Sequence, residues 1–167
     1  GLQIVYARRL IMASGRDGLG GAYLPDIAHT IPKQYWVHSS DALNYSSLQG
    51  KRVGVVGAGA SAMDSAATAL EEGAAQVDLI VRRADLPRIN KGKGAGNAGM
   101  VHGFAHLSPE WKWRIRHYLG TQQVPSPRGS TLRVSKFPNA KFNLGCALEK
   151  IDIINDEVIV KTSRGTF

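Results

Sequence analysis

One cysteine, Cys146, stands in a chain of 167 residues. It has no partner for an internal disulfide, and no Cys-x-x-Cys pair is present to carry dithiol chemistry. No run approaches the about 18 consecutive apolar residues that a membrane-crossing helix needs. The first residues lack the order of an export signal, because Arg8 and Arg9 sit inside a short apolar stretch. With neither disulfides nor an export signal, the cytoplasm is the expected compartment. No internal repeat is visible, and no low-complexity tract beyond one glycine-rich loop. His102 and His106 are spaced i, i+4, yet no carboxylate or third ligand accompanies them, so no metal site is expected. No Ser-His-Asp grouping can be assembled either.

What is present is an ordinary hydrophobic fraction, 43%, and a formal net charge of +8. The length suits one domain with a respectable core. The charge attracts phosphates without saying whose they are. Residues 9 to 13, RLIMA, read as a buried strand, and 35 to 37, YWV, as a second. Lys51 to Val56 reads as a strand with Val53, Val55 and Val56 buried. Alanines and Leu70 continue at helical spacing from Ala60 to Glu72, with Gly73 as the helix stop. QVDLIV, Gln76 to Val81, is another strand, which completes a βαβ unit.

The turn inside that unit is Gly57-Ala58-Gly59-Ala60-Ser61-Ala62, a G-x-G-x-x-A pattern. The first glycine permits the tight strand-to-helix turn. The second removes a side chain where a pyrophosphate approaches the backbone. The small Ala62 lets helix and strand pack closely. Free N–H groups at the helix start then face the phosphates, aided by the helix dipole, and Ser61 adds a hydroxyl. Alone the pattern is weak; lodged between strand and helix it points to dinucleotide binding.

The second strand ends in "IVRRAD". An NAD site places an acidic residue there, on the ribose 2′-hydroxyl. Asp78 lies near the strand's beginning and Asp85 past both arginines, so Arg82 and Arg83 hold the tip. Two guanidiniums suit a 2′-phosphate, and NADP(H) is the expected cofactor.

From Pro87 to Gly103 the chain is glycine-rich and basic, which reads as a mobile loop. It lacks the Gly-Lys-Ser/Thr order of a Walker site. Ser108 and Pro109 open a helix through "EWKWRIRHYL" that stops at Gly120. This basic aromatic helix reads as a domain helix with a solvated face, not a nucleic-acid or membrane surface. A shorter helix is expected over Ser130 to Lys136. The last stretch, about 141–164, alternates around a turn at Asn155-Asp156 and reads as a β-meander. The fold class is therefore α/β: a Rossmann-like βαβ dinucleotide-binding domain, residues 51–167, with a loop and helical insertion at about 87–136 and a C-terminal β-meander.

The segments "ARRLIMASG", "WVHSS", "LQGKRVGVVGAGASAMDSA" and "VDLIVRR" resemble the nicotinamide-binding domain of two-dinucleotide-fold flavoproteins, nearest in flavour to the flavin-containing and Baeyer–Villiger monooxygenases. The resemblance implies that residues 1–50 connect to an FAD domain through an Ala-Thr-Gly-like segment at 13–15. Ser14 and Gly15 would then belong to the site, with His38 near the nicotinamide. His38-Ser39 matches the family's His-Ser pair, Asp64 its early helical Asp. Pro32 and Gln34 stand where the monooxygenase fingerprint has Phe and Gly. The family's first glycine fingerprint, for FAD, has no counterpart here. The expectation is thus a piece of a flavin-dependent oxidoreductase, inactive alone, whose FAD domain lies outside these residues. It would pass hydride from NADPH to FAD and act on a small-molecule substrate, with no nucleic acid and no transmembrane segment. A reductase or dehydrogenase without oxygen insertion, and a non-catalytic nucleotide-binding module, are the alternatives.

Overall fold

The computed structural model describes residues 4–11, 13 and 22–167. A parallel sheet is ordered β1-β2-β3, from β1 (Arg52–Val56), β2 (Gln76–Val81) and β3 (Ala140–Leu144). Val55 pairs with Leu79 across one side of β2, and Leu79 with Phe142 across the other. The middle strand is buried from Val77 to Val81. A near-continuous apolar run is what a parallel strand covered on both faces requires. On the edge strand Val53 and Val55 are half-buried, whereas Val56 is 58% exposed. Its expected burial fails because strand alternation turns it away from the core face that Val53 and Val55 share.

Helix α1 (Ala60–Glu71) lies against this sheet. Met63, Ala66, Ala67 and Leu70 recur at helical spacing and are buried with Val77, Leu79 and Val81. The alanines bring the helix axis close to the strands. Met63 and Leu79 are fully buried, each contributing roughly 1.5–3 kcal/mol of transfer free energy. Gly73 ends the helix as expected, with φ +89° and its N–H on the Leu70 carbonyl at 3.1 Å.

The connection from β2 to β3 carries helices α2 (Ala98–Gly103), α3 (Pro109–Thr121) and α4 (Arg128–Ser135). The expected loop over Pro87 to Gly103 is instead structured in part, by a 3-10 turn at Lys91–Gly96 and by α2. Asn90 and Asn97 cap these short helices by accepting from the backbone N–H of Lys93 and Met100. Ser108 caps α3 in the same way, accepting from Trp111. Helix α4 starts two residues before the expected Ser130. It delivers Val134, fully buried, into the α1 cluster.

A second, antiparallel sheet follows: β4 (Leu148–Ile154), β5 (Glu157–Thr162) and β6 (Gly165–Thr166). Asn155 and Asp156 form the β4–β5 turn, both at positive φ. The meander therefore begins at Leu148 rather than 141. Residues 140–144 belong to the parallel sheet, because the helical crossover lays them beside β2 with Ala140, Phe142 and Leu144 packed on the core.

Two expected strands do not form among the described residues. Leu10 and Ile11 are 81% and 86% exposed and outside any sheet. Tyr35 closes a 3-10 turn at Lys33–Tyr35, and Trp36 is extended but unpaired. An extended segment becomes a strand only beside a ladder partner, and none of the described residues offers one to either segment.

Candidate functional site

The glycine turn begins on the sheet itself. The N–H of Gly57, one residue past β1, donates to the Ile80 carbonyl at 2.9 Å. Its φ of +112° is reached by glycine and rarely by any other residue. A Cβ there would lie 3.8 Å from Ala62 Cβ, an ordinary contact. Conformation, not space, therefore demands glycine at 57.

Gly59 is different. Its φ of −77° suits any residue, and a Cβ would meet nothing within 4 Å. The glycine keeps open the space ahead of α1. Gly59 is also the N-cap and has no side chain to satisfy the helix start. The Met63 N–H is the first to bond back, to the Gly59 carbonyl at 3.0 Å. The N–H groups of Ala60, Ser61 and Ala62 therefore lead the helix without a capping side chain. Ala60 and Ser61 are exposed, and no acidic residue stands in the first turn. Open space, free donors and the positive end of a helix dipole fit a pyrophosphate.

Arg82 and Arg83 follow β2 directly and both are exposed. Their backbone is fixed from the far side of the sheet. Cys146 N–H donates to the Val81 carbonyl at 2.9 Å, and Gly145 N–H to the Arg83 carbonyl at 2.7 Å. Because Gly57 bonds to Ile80, the glycine turn and both arginines sit at one carboxyl end of the parallel sheet. Ligands of open α/β sheets bind at that end.

Asp78 lies two residues earlier in the ladder than Ile80, opposite Gly54, and is buried. Its carboxylate accepts from Gln76 Nε2 at 2.6 Å and Asn143 Nδ2 at 3.3 Å, with Arg52 at 3.6 Å. It is bound to the sheet and not presented at the strand tip. Asp64 is exposed and meets Arg133 of α4 at 3.4 Å.

His38 makes its contacts within its own turn. Its Nδ1 accepts from the Ser40 N–H at 3.2 Å and faces Ser40 Oγ at 2.7 Å, while its own N–H donates to Asp41 at 3.0 Å. None of these contacts joins it to the glycine turn. Ser14 and Gly15 lie outside the described residues. One residue escaped the sequence reading: Arg164, in the β5–β6 turn, lies over Gly145 and donates to the Leu144 carbonyl at 3.2 Å. Nothing in "TSRGTF" places it at the end of the other sheet.

A groove of about 420 Å³ lies elsewhere, between the Lys91–Gly96 turn and α3. Met100, Trp111, Ile115, Tyr118 and Leu119 line it, and none of its lining belongs to the glycine turn. No helix among the described residues is long and apolar enough to cross a membrane.

The chain is 34% identical over 160 residues to an FAD-dependent urate hydroxylase of Xanthomonas campestris pv. campestris, covering 95% of this chain and 34% of that protein. It thus spans about a third of that relative's length. The crystal structure of L-lysine 6-monooxygenase from Pseudomonas syringae superposes with a TM-score of 0.50 at 18% identity, over 71% of this chain and 32% of that one. At that identity the likeness concerns the fold. The family model for L-lysine 6-monooxygenase/L-ornithine 5-monooxygenase matches residues 2–101, more than half of the chain, and includes the glycine turn and both arginines. The chain belongs to this family of flavin-dependent monooxygenases.

Proposed function

We propose that this chain is the NADP(H)-binding part of an FAD-dependent monooxygenase acting on a small molecule in the cytoplasm. One observation carries the reading: the uncapped start of α1, with open space ahead of Gly59, shares the sheet end with Arg82 and Arg83. The N–H groups of Ala60, Ser61 and Ala62 hold the pyrophosphate. Gly57 shapes the turn that aims them. Arg82 and Arg83 take the 2′-phosphate, each charge-assisted bond being worth roughly 1.5–3 kcal/mol before solvent screening. NADPH held by these residues would supply hydride for a flavin carried by the FAD-binding part of the same protein. The task of these residues is to bind and orient, and no proton transfer is assigned to them. The segment that includes Ser14 and Gly15, with His38, connects to the FAD-binding part.

The test is calorimetric. NADP⁺ and NAD⁺ are titrated into the wild type and into Arg82→Ala/Arg83→Ala. NADP⁺ should bind at least about tenfold tighter than NAD⁺ to the wild type, a gap of about 1.4 kcal/mol. The double variant should lose most of that gap through weaker NADP⁺ binding, and added salt should narrow it. Equal wild-type affinities, or a gap that survives the double variant, would refute the cofactor assignment.

A further inference from the structure

The β5–β6 turn bonds the antiparallel sheet to the end of the parallel one. Ser163, between β5 and β6, is bonded to the β3–β4 link three ways. Its N–H donates to the Ala147 carbonyl at 2.9 Å. Its hydroxyl donates to the Gly145 carbonyl at 3.1 Å and accepts from the Ala147 N–H at 3.0 Å. The next residue, Arg164, is held by its own N–H on Thr162 Oγ1 at 3.2 Å. Its guanidinium reaches back over the end of β3, one nitrogen on the Leu144 carbonyl at 3.2 Å.

Gly145 makes room for it. A Cβ at Gly145 would fall 3.0 Å from that guanidinium nitrogen and 3.2 Å from Arg164 Cδ, and φ is +71°. Gly145 is also the residue whose N–H bonds the Arg83 carbonyl at 2.7 Å. Arg164 is therefore fixed beside the backbone of Arg83, from the opposite sheet, at the carboxyl end where the glycine turn lies. It is exposed, and its shown bond to Leu144 uses one of its five N–H donors. No ion pair of Arg164 occurs among the described residues.

We infer that Arg164 is a third cationic contact for the 2′-phosphoadenosine end of NADP(H), a specificity-determining residue supplied by the meander rather than by the βαβ unit. The inference rests on the NADP(H) reading above. An arginine held at its stem by a carbonyl bond and by a glycine platform presents its remaining donors with little further ordering. A phosphate dianion gathers several donors at once. The meander is then more than a return path in the chain: its β5–β6 turn completes the ribose-phosphate pocket that Arg82 and Arg83 begin.

The experiment compares wild type, Arg164→Gln and Arg82→Ala/Arg83→Ala on the full chain, with NADP⁺, NAD⁺ and the fragment 2′,5′-ADP as calorimetric probes. Glutamine keeps a donor for Leu144 and removes the charge. Arg164→Gln should weaken NADP⁺ and 2′,5′-ADP by about fivefold and leave NAD⁺ within about twofold. Its NADP⁺ affinity should also depend less on salt. Arg164→Lys should recover part of the loss. A merely structural arginine would weaken NADP⁺ and NAD⁺ alike, and that result would overturn the inference. So would an unchanged NADP⁺ affinity in Arg164→Gln while the wild type prefers NADP⁺ and the double variant does not. A wild type with no preference for NADP⁺ would instead overturn the cofactor reading itself.

Discussion

At the scale of single residues, position along the strand decides what a carboxylate can do. Asp78 is of a type that could bind a ribose hydroxyl, but it stands inside the ladder with donors from Gln76 and Asn143. Arg82 and Arg83 stand past the last paired residue and face solvent. This distinction was legible in "QVDLIVRRAD", because strand length and direction follow from the apolar run. Arg164 was not legible: its role depends on two sheets meeting, and no local pattern encodes that contact. The assignment of Asp78 has a direct consequence. Asp78→Ala leaves two half-buried donors, on Gln76 and Asn143, without their acceptor and should cost about 1 kcal/mol in urea unfolding. It should leave the ratio of NADP⁺ to NAD⁺ affinity unchanged. A variant that gained or lost NAD⁺ affinity selectively would mean that Asp78 reaches the ribose.

At the scale of elements, α1 packs the core and, in the proposed function, also faces the ligand, so its placement matters twice. Its inner face is set by alanines against β2, and its outer face is clamped by α4. Arg133 donates to both carboxylate oxygens of Glu71, at 2.9 and 2.5 Å, and to Thr68 at 3.3 Å. The Arg133 hydrogen bonds hold the Glu71 carboxyl below its usual range, against a smaller upward push from burial. A depressed carboxylate pKa contributes stability that is present above the unfolded value, about 4.3 for Glu, and is lost as pH falls through the folded value. Thermal unfolding of wild type and Arg133→Gln should therefore differ at neutral pH, with the wild type higher. The difference should shrink below about pH 4. A gap as large in acid as at neutrality would mean that Arg133 acts by packing alone. The βαβ core and α3 were readable from periodicity and caps. Helix α4 begins two residues before the start that the sequence suggests, and β3 has the pattern of a meander strand although it joins the parallel sheet. A five-residue alternating strand looks the same in either sheet, and only the crossover decides its neighbour.

At the scale of the whole molecule, two sheets of different kinds meet at one end, and the net charge of +8 makes the protein attractive to phosphates at long range. Leu10 and Ile11 stay exposed although residues 9 to 13 read as a buried strand, since pairing is a property of neighbours and not of the segment. The account's central claim is narrower than this architecture: the start of α1 is where the dinucleotide's pyrophosphate sits. The measurement that tests it most directly is calorimetric titration of NADP⁺ into the wild type and Gly59→Val, beside urea unfolding of both. Valine at this position meets open space and an allowed backbone, so stability should fall by only about 1 kcal/mol from the poorer cap. The branched side chain would occupy the phosphate's place, and NADP⁺ affinity should fall at least about tenfold. A folded Gly59→Val protein that binds NADP⁺ as tightly as the wild type would contradict the account.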